Sequence, residues 1–285
     1  MTPDGEVQIS EQLGPSTDQQ LIPKIFHRIW IDFGKGKEPT EEYRNLTERL
    51  LNMHPGWEFK LWHENEIIEQ IKEHVPFFLH TFESYDKRIK KHDSARIIVL
   101  HAKGGVYIDH DFIPIKRIEP ALGTCKFFSS SEQSGENKYR PTNGIMGSVA
   151  RNPFLLFAIQ AMSLPETASQ HVLYATGPIF LENALKAYIR AQRPTGLKIY
   201  HPKFFNPFSW SEGSQRIKNY TITEIQSRFP DCIFVQFFQA VWLSEYEWNG
   251  MVCGMWKIIW RVELQIFQYK YNFCNFKILN FSRKE

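Results

Sequence analysis

The sequence predicts an α/β domain built on a mostly parallel central sheet flanked by helices. Two observations carry this: β-branched and aromatic runs alternate with amphipathic helical stretches from residue 22 onward, and an acidic pair follows one of those runs. With 285 residues, 42% of them hydrophobic, the chain is long enough to bury a full core in one domain with insertions.

Residues 1–20 are polar, lack the apolar core of a signal peptide or anchor, and read as a flexible tail. IPKIFHRIWI (22–31) is a first buried strand, opened by Pro23 and followed by the turn-rich FGKGKEP. A helix is expected from Thr40 to Met53, broken by Pro55 and Gly56. Period-two alternation of Trp57, Phe59 and Leu61 with Glu58 and Lys60 then predicts a second strand. Ile67, Ile68 and Ile71 fall at helical spacing, closed by Pro76. A looser segment, FFLHTFESYDKRIKK, leads into HDSARIIVLHAKGG, a short helix stopped by Gly104-Gly105, and VYIDHDF is the next strand. KFFSSSE reads as a further strand and NPFLLFAIQAM as a helix. The domain is expected over 21–230, with an aromatic-rich extension over 231–285 that packs on the domain or on a membrane surface.

Lys+Arg 34 against Asp+Glu 31 leaves only +3, spread along the chain, so nothing calls for nucleic acid. Cys125, Cys232, Cys253 and Cys274 show no CxxC spacing, which argues against a zinc site or a disulfide framework. The sequons at Asn45, Asn219 and Asn280 are about what chance supplies. No run reaches the roughly 18 apolar residues of a membrane span. An amphipathic helix over 251–267 suits either core packing or peripheral membrane contact.

In Gly104-Gly105-Val106-Tyr107-Ile108-Asp109-His110-Asp111, two carboxylates stand two residues apart on or just past a strand. They share a face, and His110 points away. Their repulsion is relieved by a cation, and hard oxygen ligands suit Mn²⁺ or Mg²⁺, which in turn bridges phosphates. The alternative is a polar turn. Asp93 and Arg96, at i, i+3 on the preceding helix, are either a solvated pair or groups that orient a sugar: Asp accepts from hydroxyls and Arg forks an oxygen. His27 reads as a satisfied core histidine rather than a ligand.

IPKIFHRIW, HPGWEFKLW, DSARIIVLHAKGGVYIDHDF, TNGIMGSVARNPF and YATGPIF, in this order over residues 22–185, resemble the DXD-type sugar transferases of glycosyltransferase family thirty-two. That family includes initiating α-mannosyltransferases and the mannosyltransferases acting on inositol phosphorylceramide. The resemblance implies a GT-A nucleotide-diphospho-sugar transferase fold and a retaining, metal-dependent hexose transfer. Mannose is the first choice of sugar, from GDP-mannose or a UDP-sugar, with a glycan or glycolipid as acceptor. It makes Asp109 and Asp111 the metal site, with Asp111 the direct ligand, and matches Asp93 and Arg96 to hexose-binding helix residues. Ile29 and Trp30 match the strand end that lines the base, Asn143 and Gly144 a segment bordering the sugar, and Gly177 and Pro178, after Thr176, the acceptor side. The family places such enzymes at the Golgi or another endomembrane, whereas the polar N-terminus leaves the cytoplasm open. The family's C-terminal His and small-residue-Trp motif has no clean match, the candidates being Ser209-Trp210 and Trp242, Ser244, Glu247 and Trp248. Rival readings are a nucleotide-sugar phosphohydrolase, since an acidic pair with a cation also activates water, and a degenerate nucleotide-sugar-binding subunit.

Overall fold

The computed structural model describes residues 7–14, 20–32, 38–135, 138–208 and 220–236. The chain divides after Ala240, and every described residue lies in the first unit. The readings placed on Asn219, Asn280, Ser209-Trp210, Trp242, Ser244, Glu247, Trp248, Cys253, Cys274 and residues 251–267 fall outside the described residues.

The strands are β1 (Ile9–Ser10), β2 (Ile25–Trp30), β3 (Glu58–His63), β4 (Gly105–Ile108), β5 (Phe112–Pro114), β6 (Phe127–Gly135), β7 (Lys138–Ser148), β8 (Leu197–Tyr200) and β9 (Phe234–Gln236). The helices are α1 (Glu41–Met53), α2 (Glu64–His74), α3 (Leu79–Ser84), α4 (Arg88–Lys103), α5 (Glu119–Leu122), α6 (Pro153–Met162), α7 (Pro165–Ala168), α8 (Val172–Ala175), α9 (Pro178–Gln192), α10 (Pro202–Phe205) and α11 (Ile222–Arg228). Seven strands form one sheet in the order β1-β8-β6-β7-β4-β2-β3, and β5 pairs with β9 apart from it. Within the large sheet only β7 runs against its neighbours, so the sheet is mostly parallel.

Local chemistry accounts for the element ends. Thr40 caps α1 by accepting from the Tyr43 amide, and Asn152 caps α6 by accepting from the Phe154 amide ahead of Pro153, contacts worth about 1 kcal/mol each. Gly104 (φ 67°) and Gly105 (φ 92°) end α4 and start β4 in the left-handed region. A Cβ on Gly105 would stand 2.6 Å from Ile25 Cγ2 and 2.7 Å from His27 Nε2, so glycine lets β4 lie against β2.

Both faces of the sheet are covered. Ile67, Ile71, Phe82, Ile97, Leu100, Phe154, Ile159, Leu181 and Leu185 bring α2, α3, α4, α6 and α9 onto Ile29, Tyr107, Phe127 and Met146. On the other face Leu50, Leu122, Phe204, Phe205, Ile233 and Phe234 pack on Phe26, Val106, Ile108, Phe128 and Ile145. The doubly covered α/β sheet matches the sequence expectation.

Two boundaries differ from that expectation. Ile9 and Ser10, read as part of a flexible tail, pair in parallel with Ile199 and Tyr200, because a short apolar stretch there meets an open sheet edge. Cys232, Ile233, Phe234 and Val235, assigned to the extension, are buried in the domain, since the apolar run CIFV supplies β9 opposite β5. Among the described residues no helix is long and apolar enough to cross a membrane.

His27 is a core residue. Trp62 Nε1 donates to its Nδ1 at 3.1 Å, so Nε2 carries the proton and donates to the Gly104 carbonyl at 2.8 Å. Burial pushes its pKa down to about 4. The unfolded chain therefore binds this proton below about pH 6.5, whereas the native state does not until about pH 4. Stability from this group is complete above pH 6.5 and lost as pH falls through the window. In denaturant titrations at a series of pH values, His27→Gln is expected to remove about one proton from the slope between pH 6.5 and 4.

Candidate functional site

The acidic pair lies on the turn between β4 and β5, just past the strand. The Asp109 amide donates to the Gly144 carbonyl at 2.9 Å, extending the β4–β7 ladder by one bond, and the Phe112 amide returns to the Asp109 carbonyl at 3.4 Å. Tyr107, fully buried one pleat earlier, donates its hydroxyl to Asp109 Oδ1 and so orients the carboxylate from beneath.

Arg96, on α4, joins this carboxylate to the rest of the site. Its Nη2 lies 3.4 Å from Asp109 Oδ1 and 3.1 Å from Asp93 Oδ1, and also donates to His92 Nδ1 at 3.2 Å. Its Nη1 donates to the Asn143 carbonyl at 2.9 Å, and the guanidinium stands 5.2 Å over the Tyr107 ring. Asn143 Nδ2 donates to Asp93 Oδ1 at 3.1 Å, and Thr176 Oγ1 to Asp93 Oδ2 at 3.3 Å. Asp93 and Arg96 are 4% and 6% exposed, which rules out the solvated surface pair.

Electrostatics follow from this burial. Burial pushes the Asp93 carboxyl up to about 6 despite Arg96, with the charge of Asp109 adding to the rise. Asp109 is raised for the same first reason, against Arg96 and the Tyr107 hydroxyl. Burial alone would lower the Arg96 guanidinium, but Asp109, Tyr107 and Asp93 outweigh it and hold it above its ordinary value.

Asp111 is buried, and its Oδ1 accepts from Gln236 Nε2 on β9 at 3.2 Å. Gly144 leaves open the space before Asp109: an added Cβ would stand 3.1 Å from Asp109 Oδ2, 3.2 Å from Phe112 Cε2 and 3.5 Å from Gln236 Nε2. The donors are hard carboxylate oxygens. Asp93, Asp109 and Asp111 also outnumber the guanidiniums Arg28 and Arg96, whose charges act on this cluster, so a divalent cation fits both the donor set and the charge. Among the described residues no set of three His, Cys, Asp or Glu converges on a metal position.

The remaining candidates divide. Trp30 is partly buried and meets His110 edge-on at 5.4 Å and Tyr43 at 6.2 Å. Ile29 has its side chain in the core, and only its carbonyl reaches the site, accepting from His92 Nε2 at 3.2 Å and His110 Nε2 at 3.1 Å. Gly177 and Pro178 open α9 and hold Thr176 against Asp93, so the hydroxyl makes the contact. Sequence reasoning missed Tyr107, His92, Arg28 and Gln236. The period-two relation of Tyr107 to Asp109 and the i, i+4 relation of His92 to Arg96 could have found two of them.

Residues 40–128 match the glycosyltransferase sugar-binding region containing the DXD motif. This stretch of the chain carries the sugar-binding region of the DXD glycosyltransferases. Mannosyl phosphorylinositol ceramide synthase SUR1 of Saccharomyces cerevisiae is 31% identical to this chain over 211 residues, covering 71% of this chain and 53% of its own length. The synthase CSH1 of the same yeast is 27% identical over 259 residues, covering 81% and 66%. Inositol phosphoceramide mannosyltransferase 3 of Schizosaccharomyces pombe is 30% identical over 172 residues, covering 58% and 45%. The chain thus spans roughly half to two thirds of the length of these relatives. Among solved structures, the ligand-free glycosyltransferase domain of the YGT toxin superposes with a TM-score of 0.48 and 11% identity, over 63% of this chain and 80% of its own.

Within this DXD site, Gly144→Ala is expected to weaken cation-dependent nucleotide binding about tenfold, because the methyl occupies space before Asp109 Oδ2. Calorimetric titration with Mn²⁺ and nucleotide measures this, and a melting temperature within a few degrees of wild type shows that the loss is local.

Proposed function

We propose that this chain transfers a hexose, mannose as first choice, from a nucleotide-diphosphate sugar to a hydroxyl of a glycan or glycolipid. The transfer retains the anomeric configuration within a GT-A-type site, and Asp109 and Asp111 hold Mn²⁺ or Mg²⁺. The observation that carries this reading is the single network joining Asp93, Arg96, Asn143 and Thr176 to Asp109 at the carboxyl end of β4. In an open α/β sheet that end is where ligands bind. The chain's similarity to mannosyl phosphorylinositol ceramide synthase and inositol phosphoceramide mannosyltransferase favours mannose as the sugar and inositol phosphoceramide as the acceptor.

When bound, the cation supplies Lewis-acid neutralisation of charge on the departing nucleoside diphosphate. The chain's own residues position the donor. Both oxygens of Asp93 are engaged, Oδ1 by Asn143 and Arg96 and Oδ2 by Thr176, which favours a carboxylate that fixes sugar hydroxyls over one that swings to an anomeric carbon. Arg96 is likewise committed to Asp93, Asp109 and the Asn143 carbonyl, so it holds the donor-facing acids in place. Attack from the same face as the leaving phosphate therefore accords with the site better than a covalent enzyme intermediate.

The test is to incubate the protein with Mn²⁺, inositol phosphoceramide in detergent micelles, and GDP-mannose or a UDP-sugar, and to analyse the lipid by mass spectrometry. One hexose added from GDP-mannose is the expected result. Free sugar released at the full rate without acceptor would establish a phosphohydrolase, and donor binding without turnover across an acceptor panel would establish a binding subunit.

A further inference from the structure

A second polar group stands on the carboxyl edge of the sheet, farther from the DXD turn than the network around Asp93. β7 runs against both β4 and β6, so β6 points the way β4 does and ends at the edge where Asp109 stands. Ser129 is level with Met146, and Met146 with Tyr107, so Glu132, three residues on, stands about 10 Å past the level of Tyr107. Glu132 lies directly opposite Arg140 in the β6–β7 ladder, and opposed residues share a face. Arg140 fixes which face that is: its Nε donates at 2.8 Å to Glu182 Oε2 on α9, a helix that packs on the same side of the sheet as α4, the carrier of Asp93 and Arg96. Both elements lead into the Asp93 network. Asn143 follows Arg140 by three residues, at most about 11 Å of chain, and Thr176 stands two residues before α9.

Among the described residues nothing donates a hydrogen bond to Glu132, although an arginine stands across from it. Arg140 Nε is turned to Glu182, whose Oε1 accepts from Lys186 Nζ at 2.6 Å. Glu132 is partly buried, and burial pushes its carboxyl up, with Arg140 opposing the rise and Glu182 adding to it. A partly buried carboxylate without donors is costly, and least so where the donors arrive with a ligand. Charge narrows that ligand: Glu132 and Glu182 are balanced by Arg140 and Lys186, so the place favours neither an anion nor a cation. A carboxylate only accepts, and adjacent hydroxyls of a neutral ring offer one donor to each of its oxygens.

We propose that Glu132 binds the acceptor: its two oxygens accept from adjacent hydroxyls of a polyol ring, sugar or cyclitol, and hold that ring beside the hexose engaged by Asp93, Asn143 and Thr176. This rests on the reading of the Asp93 network as the donor-sugar site. Arg140 and Glu182 are then positioning residues. By pairing with each other they tie the β6–β7 hairpin to α9 and leave the Glu132 oxygens to the ligand.

Steady-state transfer by wild type and Glu132→Gln tests it, with saturating GDP-mannose and Mn²⁺ and with inositol phosphoceramide micelles as the varied acceptor, or methyl α-mannoside where wild type uses that instead. Glutamine keeps the shape of the side chain but removes the charge and one of the two accepting oxygens. The acceptor KM is expected to rise about tenfold or more, with most of the loss in KM rather than kcat. Calorimetry should find the Kd of GDP-mannose within about twofold of wild type, since the donor network is untouched. Melting curves establish that the variant is folded, and Glu132→Asp, a carboxylate shorter by one methylene, replaces it if it is not, with an expected rise in acceptor KM of about threefold or more. An acceptor KM at the wild-type value in the folded variant, or an equal loss of donor affinity, overturns the proposal while sugar transfer by wild type stands. No transfer by folded wild type to either acceptor overturns the transferase reading, and this one with it.

Discussion

Asp111→Asn is expected to lower hexose transfer by about 10³-fold or more while the protein stays folded. The substitution keeps the shape of the side chain and an oxygen for Gln236 Nε2, now 3.2 Å from Asp111 Oδ1, so β9 keeps its contact with the turn. What it removes is one negative charge and one hard anionic donor from the proposed cation site, to which Asp109 is the other carboxylate assigned. Without them the diphosphate meets the buried acids of the site with less to offset their repulsion, and both donor binding and departure of the leaving group suffer. Two measurements check this. Calorimetry with Mn²⁺ and GDP-mannose should show cation-dependent binding in wild type and none in Asp111→Asn, and the melting temperature should hold within a few degrees. Transfer at the wild-type rate in the folded variant would show that the pair is a polar turn and that the chemistry lies elsewhere.

The ends of α1, α2 and α6 were legible because their signals are local. Thr40, Pro76 and the Asn152-Pro153 pair act within a few residues of the boundaries they set. α4 begins at Arg88, earlier than HDSAR suggests, because Lys90 is paid for by partners distant in sequence or lying before the helix: its Nζ reaches the Ala168 carbonyl at 3.0 Å and Asp86 Oδ1 at 2.9 Å. β7 was missed as a strand because TNGIMGS alternates weakly. Gly147 is there to admit the Phe128 ring, whose Cε1 would stand 2.1 Å from an added Cβ, and only the paired strand shows this. At the site, residue types and spacing gave Asp93, Arg96, Asp109 and Asp111, but not how they are joined. Asn143 and Thr176 meet Asp93 across separations of 50 and 83 residues, contacts that no local pattern encodes and that only the order of motifs hinted at. Ile29 shows the converse: a residue placed correctly at the strand end serves the site through its carbonyl, because the strand's alternation sends its side chain to the core.

Arg96→Met is expected to destabilise the protein by about 3–5 kcal/mol, the largest stability effect of any single change at the site. Methionine fills much the same volume and can pack on the Tyr107 ring that the guanidinium now covers at 5.2 Å, so lost packing is the smaller part. The larger part is electrostatic. Asp93 and Asp109 share this one guanidinium, at 3.1 and 3.4 Å, and its removal leaves two buried carboxylates facing each other. The Asn143 carbonyl and His92 Nδ1 lose their donor at the same time. Asp93, already pushed up to about 6, would rise further. An acid raised in the folded state gives stability that is full below its unfolded pKa near 3.8 and lost as pH climbs through its folded pKa. The deficit of Arg96→Met should therefore be small near pH 4 and grow toward pH 7, measured as the difference in denaturation midpoints between variant and wild type at each pH. Mn²⁺ should restore part of it at pH 7 by supplying positive charge beside Asp109, whereas Arg96→Lys, with a charge but no fork, should fall between the two proteins. A deficit independent of pH would mean that the guanidinium acts through packing alone and that the two carboxylates do not depend on it.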